Sequence, residues 1–530
     1  MTTLKKIFPY ILCVFSFLGM LAIIITNMSS YIDSDATACA LQALEMHKQH
    51  SLLLNTYHES TYIHLHTYAV YVALFFTSNL HYANILGAIF TLILMAICIY
   101  YFCRKVLDEN YWSLWFIFSF SAISSIYINC YYISNYYTEF VIGQLLVLAT
   151  FISAIKQNDA KIISIGNKRY FVATLFLLFC FLLLGMRSMQ YIFLPLFITI
   201  LLINWIETMS KKAISATNFI DMFKVVFIIG TFGLISYVLS CHIIQPLFNV
   251  SKDFAEEICI VPNIDKLCEN IGTFFRCLFV NIDISYGVRL QSIKGAFAII
   301  KFFFLILISF VFPVLQIKRY SVLNLKEKII LIFGISNFIL TAIVFIFSGD
   351  SGIDTYPRYL LNAIIMLDLI GVQYFASLLK LSNNFYKIIY CFIYWAILTS
   401  FSIVSIKGFS SIKMYNIGVV NFLKDNDLVY GYASFWNAGV NTYASNDTVK
   451  VRQVLLSDNS ISAYNWLADD TWYNNIDNNT ETFLMLSSDE LEVFCNGDIS
   501  NSVLGVPKQV LEFEDYTIAI YDYNISNYFN

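Results

Sequence analysis

The sequence is poor in charge and in residues that interrupt helices. Only 13% of its 530 residues are charged, and only seven are proline. It has no Walker phosphate-binding loop and no GxGxxG motif, which argues against an ATP-driven machine. No CxxC pair occurs among its twelve cysteines, so a cysteine-based metal site is not indicated either.

What the chain has in abundance is long apolar segments. It is 58% hydrophobic with a mean hydropathy of +0.67, far above the values of soluble proteins. A run of about 20 apolar residues is long enough to cross a bilayer as a helix. We therefore predict a polytopic α-helical membrane protein with about 11 transmembrane helices. The predicted spans are 7–26, 83–103, 111–130, 136–155, 170–185, 189–206, 222–247, 295–316, 329–348, 359–379 and 388–406.

The loop charges predict the orientation of these spans. Positive residues stay on the cytoplasmic side. The short connections that follow the even-numbered spans are basic, and the first of them contains Arg104 and Lys105. The two long connections, 27–82 and 249–294, follow odd-numbered spans and so lie on the opposite side. We expect a protein of the cytoplasmic membrane with its N-terminus inside and everything after residue 406 outside. Within the first long loop, segment 62–77 is predicted as a helix lying in the outer interface.

The composition changes after residue 406. Asp, Asn, Ser and Tyr replace Phe and Ile, as in a soluble domain. Strand-like segments at 428–433, 449–456, 482–486, 510–513 and 517–523, with a helical stretch at 419–424, predict a mixed α/β domain. We therefore divide the chain into a membrane domain, 1–406, with the external loop 27–82, and an extracytoplasmic domain, 407–530.

A polar, acidic motif follows the first span directly. It contains Asp33 and Asp35, and the residues after it favour a helix. Asp35 is predicted as the N-cap of that helix, since Asp is among the preferred capping residues. Asp33 has no such structural role in this interpretation, and it lies just above a span. It is therefore the first candidate for a general base.

Three further ionisable residues lie at predicted external ends of spans, namely Glu139, Arg187 and Arg358. Such groups at membrane segments are energetically expensive and often functional, although an interfacial arginine also serves as a lipid anchor. A guanidinium matches a phosphate bidentately, and a carboxylate activates a hydroxyl. Together these groups suit a reaction whose leaving group is a lipid phosphate.

Six histidines lie in the first external loop, and three cysteines, Cys259, Cys268 and Cys277, share the second. The histidines are His47, His50, His58, His64, His66 and His81. Imidazole is a common metal ligand, but interfacial polarity is the preferred interpretation. A disulfide between Cys259 and Cys268 is compatible with an external loop.

Residues 31–212 resemble the amino-terminal half of the GT-C membrane glycosyltransferases, in particular bacterial relatives of the dolichyl-phosphate-mannose protein mannosyltransferases. The likeness rests on Asp33-Ser-Asp35, on the segment that begins His64-Leu-His66, and on Tyr100-Tyr-Phe-Cys-Arg-Lys. Arg358-Tyr359 resembles the Arg-Tyr found near the lipid-phosphate site in that group. The tail segment 431–445 is similar to the extracytoplasmic domain of bacterial members.

The resemblance implies transfer of a sugar, with inversion, from a polyprenyl-phosphate donor to a glycan, lipid or protein acceptor on the outer face. Asp33, or else Asp35, is the implied base. The implied substrate-binding residues are Glu139, Arg187, Arg358, Tyr359 and His66. No cofactor is implied, a divalent metal is not indicated, and no nucleic-acid partner is expected. The alternatives are a transporter or flippase of lipid-linked glycans, which would show paired halves, and an envelope glycan polymerase or ligase.

Overall fold

A computed structural model of the chain describes residues 2–59, 64–107, 112–135, 137–156, 163–209, 216–249, 263–282, 289, 291–348, 357–380, 384–406, 417–474, 477 and 480–529. The chain divides into two compact units. Unit 1 comprises Met1–Ile24, Thr91–Gln245 and Lys252–Gly408. Unit 2 comprises Ile25–Phe90, Pro246–Ser251 and Phe409–Asn530, so the first long loop belongs to the same unit as the C-terminal region.

The described part of the chain up to residue 406 is almost entirely helical. Its helices are α1 (Thr2–Asn27), α2 (Ser34–Gln49), α3 (Leu65–Ala73), α4 (Leu80–Val106), α5 (Trp112–Ser119), α6 (Ser125–Ile128), α7 (Thr138–Ala154), α8 (Lys168–Leu183), α9 (Met186–Ser188), α10 (Leu194–Met209), α11 (Ala216–Leu239), α12 (Gln245–Leu247), α13 (Ile264–Asn281), α14 (Ile293–Ile306), α15 (Phe312–Lys318), α16 (Leu325–Phe347), α17 (Pro357–Lys380) and α18 (Asn384–Ile406). Five-residue π-helical segments follow α6, α9, α11 and α14.

The prediction of a polytopic membrane protein is confirmed, but the count of 11 spans is not. Within the described residues, seven helices are long and apolar enough to cross a membrane, and a bent pair makes an eighth. Helix α8 has only 16 residues. Helix α3, in the segment expected to lie in the interface, has nine residues and is too short to span a bilayer.

The predicted third span, 111–130, is wrong as a continuous helix. It breaks after α5, where Ser119 Oγ donates to the carbonyl of Trp115 at 2.9 Å and Ser121 Oγ donates to that of Ile117 at 2.6 Å. Ser124 Oγ then accepts from the backbone N–H of Tyr127 at 3.1 Å and so begins α6. Serine hydroxyls that bond to the backbone compete with helix continuation in this way.

Helix α17 packs at the centre of unit 1. In the apolar stretch of α17, 78% of the residues are buried, against 50% or less in the other candidate spans of the described chain. Gly371 permits its close contact with the π-helical segment Leu307–Val311 after α14, since a Cβ at this glycine would lie 1.8 Å from the carbonyl oxygen of Ile308. Ser309 Oγ of the same segment donates to Asp368 Oδ1 at 2.5 Å.

The C-terminal part of unit 2 contains a mixed six-stranded sheet. Its helices are α19 (Ile417–Asp425), α20 (Phe435–Ala444), α21 (Thr471–Asn474) and α22 (Ser488–Cys495), and its strands are β2 (Tyr430–Ser434), β3 (Lys450–Ser457), β4 (Ser460–Ala463), β6 (Thr482–Ser487), β7 (Gln509–Phe513) and β8 (Tyr516–Tyr521). The strand order is β4-β3-β2-β6-β8-β7, in which β2 is parallel to β3 and β6 and the other pairs are antiparallel. The predicted mixed α/β class is confirmed.

The core of unit 2 lies on both faces of this sheet. Alternate residues of β6 belong to different clusters, with Leu484 and Leu486 on one face and Phe483 and Met485 on the other. The first loop contributes to the same core through β1 (Tyr57–His58), which pairs antiparallel with β5 (Ala468–Asp469). A strand covered on both faces is expected to be apolar, as the four central residues of β6 are.

One sequence prediction falls partly outside these residues. Cys259, proposed to pair with Cys268, lies outside the described residues.

The contact at Gly371 leads to the first prediction. Gly371→Ala should lower the melting temperature of the purified protein, because overpacking costs about 1–3 kcal/mol and the obstructing atom here belongs to the backbone. Gly19→Ala is the matched control, since no atom lies within 4 Å of a Cβ at this α1 position. Alanine favours a helix over glycine by about 1 kcal/mol, so the control should melt no earlier than the wild type. Equal melting of all three proteins would contradict the close approach.

Candidate functional site

The acidic motif lies at the start of α2, in unit 2. The structure corrects its capping residue: Asp33, not Asp35, is the N-cap. Asp33 Oδ1 accepts from the backbone N–H of Ala36 at 2.7 Å, and the carbonyl of Asp33 accepts from the N–H of Thr37 at 3.0 Å. The helix therefore begins two residues earlier than expected. The prediction that Asp33 has no structural role is therefore wrong.

Asp35 lies in the first turn of α2. Both carboxylates are only partly buried, whereas Ser34 between them is buried. Negative side chains in the first turn interact favourably with the helix dipole. The motif therefore combines helix stabilisation with two partly exposed acidic residues.

His66 lies in a buried hydrogen-bond network of unit 2. Its Nε2 lies 2.8 Å from Asn84 Oδ1, and Asn84 Nδ2 donates to the hydroxyl of Tyr443 at 3.2 Å. His81 Nδ1 lies 3.1 Å from the same hydroxyl. Burial lowers the pKa of His66 to about 4, so the ring is neutral near pH 7. A role of His66 in substrate binding stays a prediction.

The described residues contain no group of three His, Cys, Asp or Glu side chains that could hold a metal ion.

A second buried network joins α2 to the loop after β1, and the sequence analysis did not single it out. Gln42 Nε2 donates to Glu59 Oε1, and the Thr67 hydroxyl donates to Gln42 Oε1 at 3.0 Å. Glu59 is buried, and desolvation raises the pKa of its carboxyl to about 7. The hydrogen bond from Gln42 opposes that rise.

Unit 1 brings together the other predicted residues. Arg187 Nη1 donates to the Tyr137 hydroxyl at 3.2 Å. The Arg187 guanidinium carbon lies 5.3 Å from the ring centroid of Tyr359, and that of Arg358 lies 5.6 Å from the same centroid. Glu139 is 1% exposed and within electrostatic range of Arg187. These residues, with Tyr191, are called the arginine–tyrosine cluster below.

Local backbone features place Arg187. It follows Gly185, whose φ of 145° and ψ of 178° belong to a region that is essentially restricted to glycine. The chain therefore turns sharply after α8, and Arg187 lies in the short helix α9 that follows. A π-helical segment, Met189–Phe193, then leads into α10.

The start of α17 is held by hydrogen bonds from neighbouring helices. Asn281 Nδ2 donates to the carbonyl of Pro357 at 2.7 Å, and the Tyr191 hydroxyl donates to the carbonyl of Tyr359 at 3.1 Å. Proline suits a first helical position because its missing N–H would have no helical partner. Tyr191 is itself fixed, since its carbonyl accepts from Asn337 at 2.7 Å and from Gln144 at 3.0 Å.

The chemistry of this cluster favours an anion. Two guanidinium groups lie within 6 Å of one tyrosine ring. Among the described residues, the cluster combines these two guanidinium groups with one carboxyl group, that of Glu139. Arginine binds phosphate in a planar, two-pronged manner, and the tyrosine rings support the guanidinium planes. Tyr137 and Tyr191 were missed because tyrosines occur throughout this chain and nothing local distinguishes these two.

Comparisons with known proteins agree with this architecture. No protein-family model matches the sequence. No curated protein matches it either. Among solved structures, ArnT from Cupriavidus metallidurans in the apo state is 10% identical with a TM-score of 0.54, over 96% of this chain and 98% of that one. The same protein bound to undecaprenyl phosphate is 10% identical with a TM-score of 0.50, over 94% and 97%.

A third match is the Archaeoglobus fulgidus oligosaccharyltransferase in the apo form. It is 11% identical with a TM-score of 0.50, over 94% of this chain and 73% of that one. At such identities the likeness is one of fold. Since both matched proteins are GT-C membrane glycosyltransferases, the chain has the GT-C fold that its sequence motifs predicted. Together with the apolar helices, this fold identifies an integral membrane protein.

The raised pKa of Glu59 leads to a prediction about pH and stability. The unfolded chain loses this proton near pH 4.5 and the folded chain near pH 7. Between these values the folded state holds more protons, so the free energy of unfolding falls as pH rises. Glu59→Gln should therefore stabilise the protein at pH 8, on the order of 3 kcal/mol, and have little effect at pH 4. Melting temperatures across this range measure the effect.

The control for this prediction is Glu512→Gln on β7, where the side chain is exposed. It should leave the pH profile of the melting temperature unchanged. A wild-type profile in Glu59→Gln would show that Glu59 is solvated or otherwise compensated.

Proposed function

We propose that this chain is a membrane glycosyltransferase that moves a sugar from a polyprenyl-phosphate donor to an acceptor, with inversion at the anomeric carbon. The observation that carries the proposal is the arginine–tyrosine cluster of a chain with the GT-C fold. One protein of that fold, ArnT, has been solved with undecaprenyl phosphate bound. A lipid phosphate is an anion that a cluster with two arginines in a membrane unit is suited to bind.

The cluster would bind the phosphate that departs. As the bond between the anomeric carbon and the phosphate oxygen breaks, negative charge grows on the phosphate. Arg187 and Arg358 would stabilise that charge, which is commonly worth a few kcal/mol of barrier. Because Tyr137 and Tyr359 contact them, the guanidinium groups need little reorganisation. Glu139 would orient Arg187 or the acceptor.

The general base would be Asp33, or else Asp35. Its carboxylate would take the proton of the acceptor hydroxyl as that oxygen attacks the anomeric carbon. The cap hydrogen bond to Ala36 fixes the Asp33 carboxylate, and a positioned base is an effective one. Asp35 is accessible in the same helical turn, so the structure leaves both carboxylates as candidates.

The reaction would take place on the outer face of the cytoplasmic membrane, as the loop charges predict. The donor would arrive already activated as a lipid phosphate, so neither a nucleotide nor another cofactor is needed in the transfer step. His66 would shape the acceptor side through its buried network in unit 2. The acceptor would be a glycan, a lipid or a protein.

Purified protein in lipid nanodiscs, given a polyprenyl-phosphate monosaccharide and candidate acceptors, tests the proposal. Release of polyprenyl phosphate together with a glycosylated product supports transfer. Movement of the donor between leaflets without cleavage would instead identify a flippase.

The first site prediction concerns the base. Asp33→Asn should reduce transfer by about 100-fold or more, the usual contribution of a positioned base. Because Asn is as good an N-cap as Asp, α2 should keep its stability. Asp498→Asn is the control, since Asp498 caps a short helix elsewhere in unit 2 through the N–H of Ser500. Loss of transfer in Asp35→Asn alone would reassign the base.

The second site prediction separates a phosphate ligand from a lipid anchor. Arg358→Lys and Arg187→Lys should both impair transfer, because lysine keeps the charge but not the planar fork, and Arg358→Ala should nearly abolish it. Arg319→Lys is the matched control: this arginine also lies over a tyrosine, 5.4 Å from the ring centroid of Tyr374, but it is outside the cluster. Donor affinity and turnover measure the effect. Full activity of Arg358→Lys would remove Arg358 from the site.

A further inference from the structure

Two lysines and two tyrosines from three helices meet in unit 1. Lys105, in the last turn of α4, donates through its Nζ to the hydroxyl of Tyr170, in the first turn of α8, at 2.9 Å. The same Nζ lies 5.2 Å from the ring centroid of Tyr170 and 5.9 Å from that of Tyr101. Lys326, in the first turn of α16, donates through its Nζ to the carbonyl of Lys105 at 3.4 Å. These four residues are called the lysine–tyrosine cluster.

The cluster lies at the ends of two candidate membrane spans. Lys105 is the residue before last of the span Leu80–Val106, and Lys326 is the second residue of the span Leu325–Phe347. Charged side chains at span ends reach the level of the lipid headgroups, and tyrosine is enriched at the same level. A ligand of this cluster therefore meets it at headgroup depth.

Among the described residues, no carboxylate lies within ion-pair distance of either lysine. Their hydrogen bonds go to a tyrosine hydroxyl and to a backbone carbonyl, which are both uncharged. Glu327, the neighbour of Lys326, uses its carboxylate to accept from the backbone N–H of Asn324 in the helix cap. Asp108 and Glu109, which follow α4 in the chain, lie outside the described residues. The two ammonium groups thus remain available to an anion.

Exposed apolar faces of α4 and α8 lead towards the cluster. Residues three or four apart share one face of a helix. The exposed residues at this spacing include Ile97, Tyr100 and Arg104 on α4, and Arg169, Val172 and Phe176 on α8. Each face is therefore apolar along the helix and ends in an arginine beside the cluster.

This combination favours an anionic phospholipid over other anions. The lipid phosphate accepts hydrogen bonds from ammonium groups and attracts them as point charges. Its acyl chains match the apolar faces of α4 and α8, which a soluble anion would leave uncovered. Basic groups at the cytoplasmic membrane surface attract anionic lipids, and the loop charges predict that this end of the helices is cytoplasmic.

We propose that the lysine–tyrosine cluster binds the phosphate of an anionic phospholipid, whose acyl chains lie along α4 and α8. Lys105 and Lys326 contact the same headgroup, so the lipid connects the end of α4 with the start of α16. The Tyr170 hydroxyl holds the Lys105 ammonium at the site. The proposal is independent of the proposed function, because neither a sugar donor nor a transfer step takes part in it.

Native mass spectrometry of the full chain in a neutral detergent tests the proposal. The probes are dioleoyl phosphatidylglycerol, dioleoyl phosphatidylcholine as the lipid without net charge, inorganic phosphate, and a polyglutamate peptide. The variants are Lys105→Gln, Lys326→Gln and the double variant, which remove charge and keep most of the side chain. Lys318→Gln is the matched control, since this exposed lysine ends α15 and lies outside the cluster.

We expect phosphatidylglycerol to bind to the wild type and to Lys318→Gln equally, and more tightly than phosphatidylcholine does. Each single variant should bind it about 5-fold more weakly, and the double variant about 25-fold, from the usual contribution of one basic residue at a lipid surface. Phosphatidylglycerol should also raise the melting temperature of the wild type more than that of the double variant. Melting temperatures without lipid verify that the variants are folded.

Three results would overturn the proposal. The first is equal affinity of the wild type and the double variant for phosphatidylglycerol, and the second is equal affinity of the wild type for both lipids. The third is binding of phosphate or of the peptide that competes with phosphatidylglycerol and depends on the two lysines, which would assign the cluster to a soluble anion or a protein. The variants leave Arg187 and Arg358 unchanged, so they also distinguish this site from the arginine–tyrosine cluster.

Discussion

The central packing of α17 is the constraint on which the arginine–tyrosine cluster depends. Gly371 permits a close backbone contact between α17 and the π-helical segment after α14. The N-terminal end of α17 carries Arg358 and Tyr359, and hydrogen bonds from Asn281 and Tyr191 hold that end. Two guanidinium groups are thereby kept near one ring by a rigid apolar bundle. Such preorganisation is what charge stabilisation in a transition state requires.

In unit 2, the packing and capping of α2 position Asp33 and Asp35. Helix α2 is buried on most of its surface, and its alanines allow close packing against neighbouring helices. Its first residues are tied by the Asp33 cap, while buried networks around Gln42 and Asn84 join it and its neighbours to the rest of the unit. The acidic motif thus lies at the start of a well-packed helix.

Much of the fold could be predicted from the sequence because its signals are local. Uninterrupted apolar runs predict transmembrane helices, and the strand-like segments at 449–456 and 482–486 correspond to β3 and β6. The errors are also local in origin. The break near Ser121 depends on hydroxyl groups that bond to the backbone, which a hydropathy average ignores. The cap at Asp33 rather than Asp35 depends on where the first helical hydrogen bond forms, and adjacent acids in one motif do not reveal it.

By itself, the sequence determined the membrane class, the mixed α/β character of the tail and the residue types at the ends of spans, since each depends on composition or short-range periodicity. Only the tertiary structure decided which of those residues meet. Tyr137, Arg187 and Tyr359 are far apart in the chain and come together through helix packing. Asn84 and Tyr443 likewise lie far apart in the chain and meet through a hydrogen bond in unit 2. Contacts across hundreds of residues depend on the shapes of packed side chains, and no local pattern encodes them.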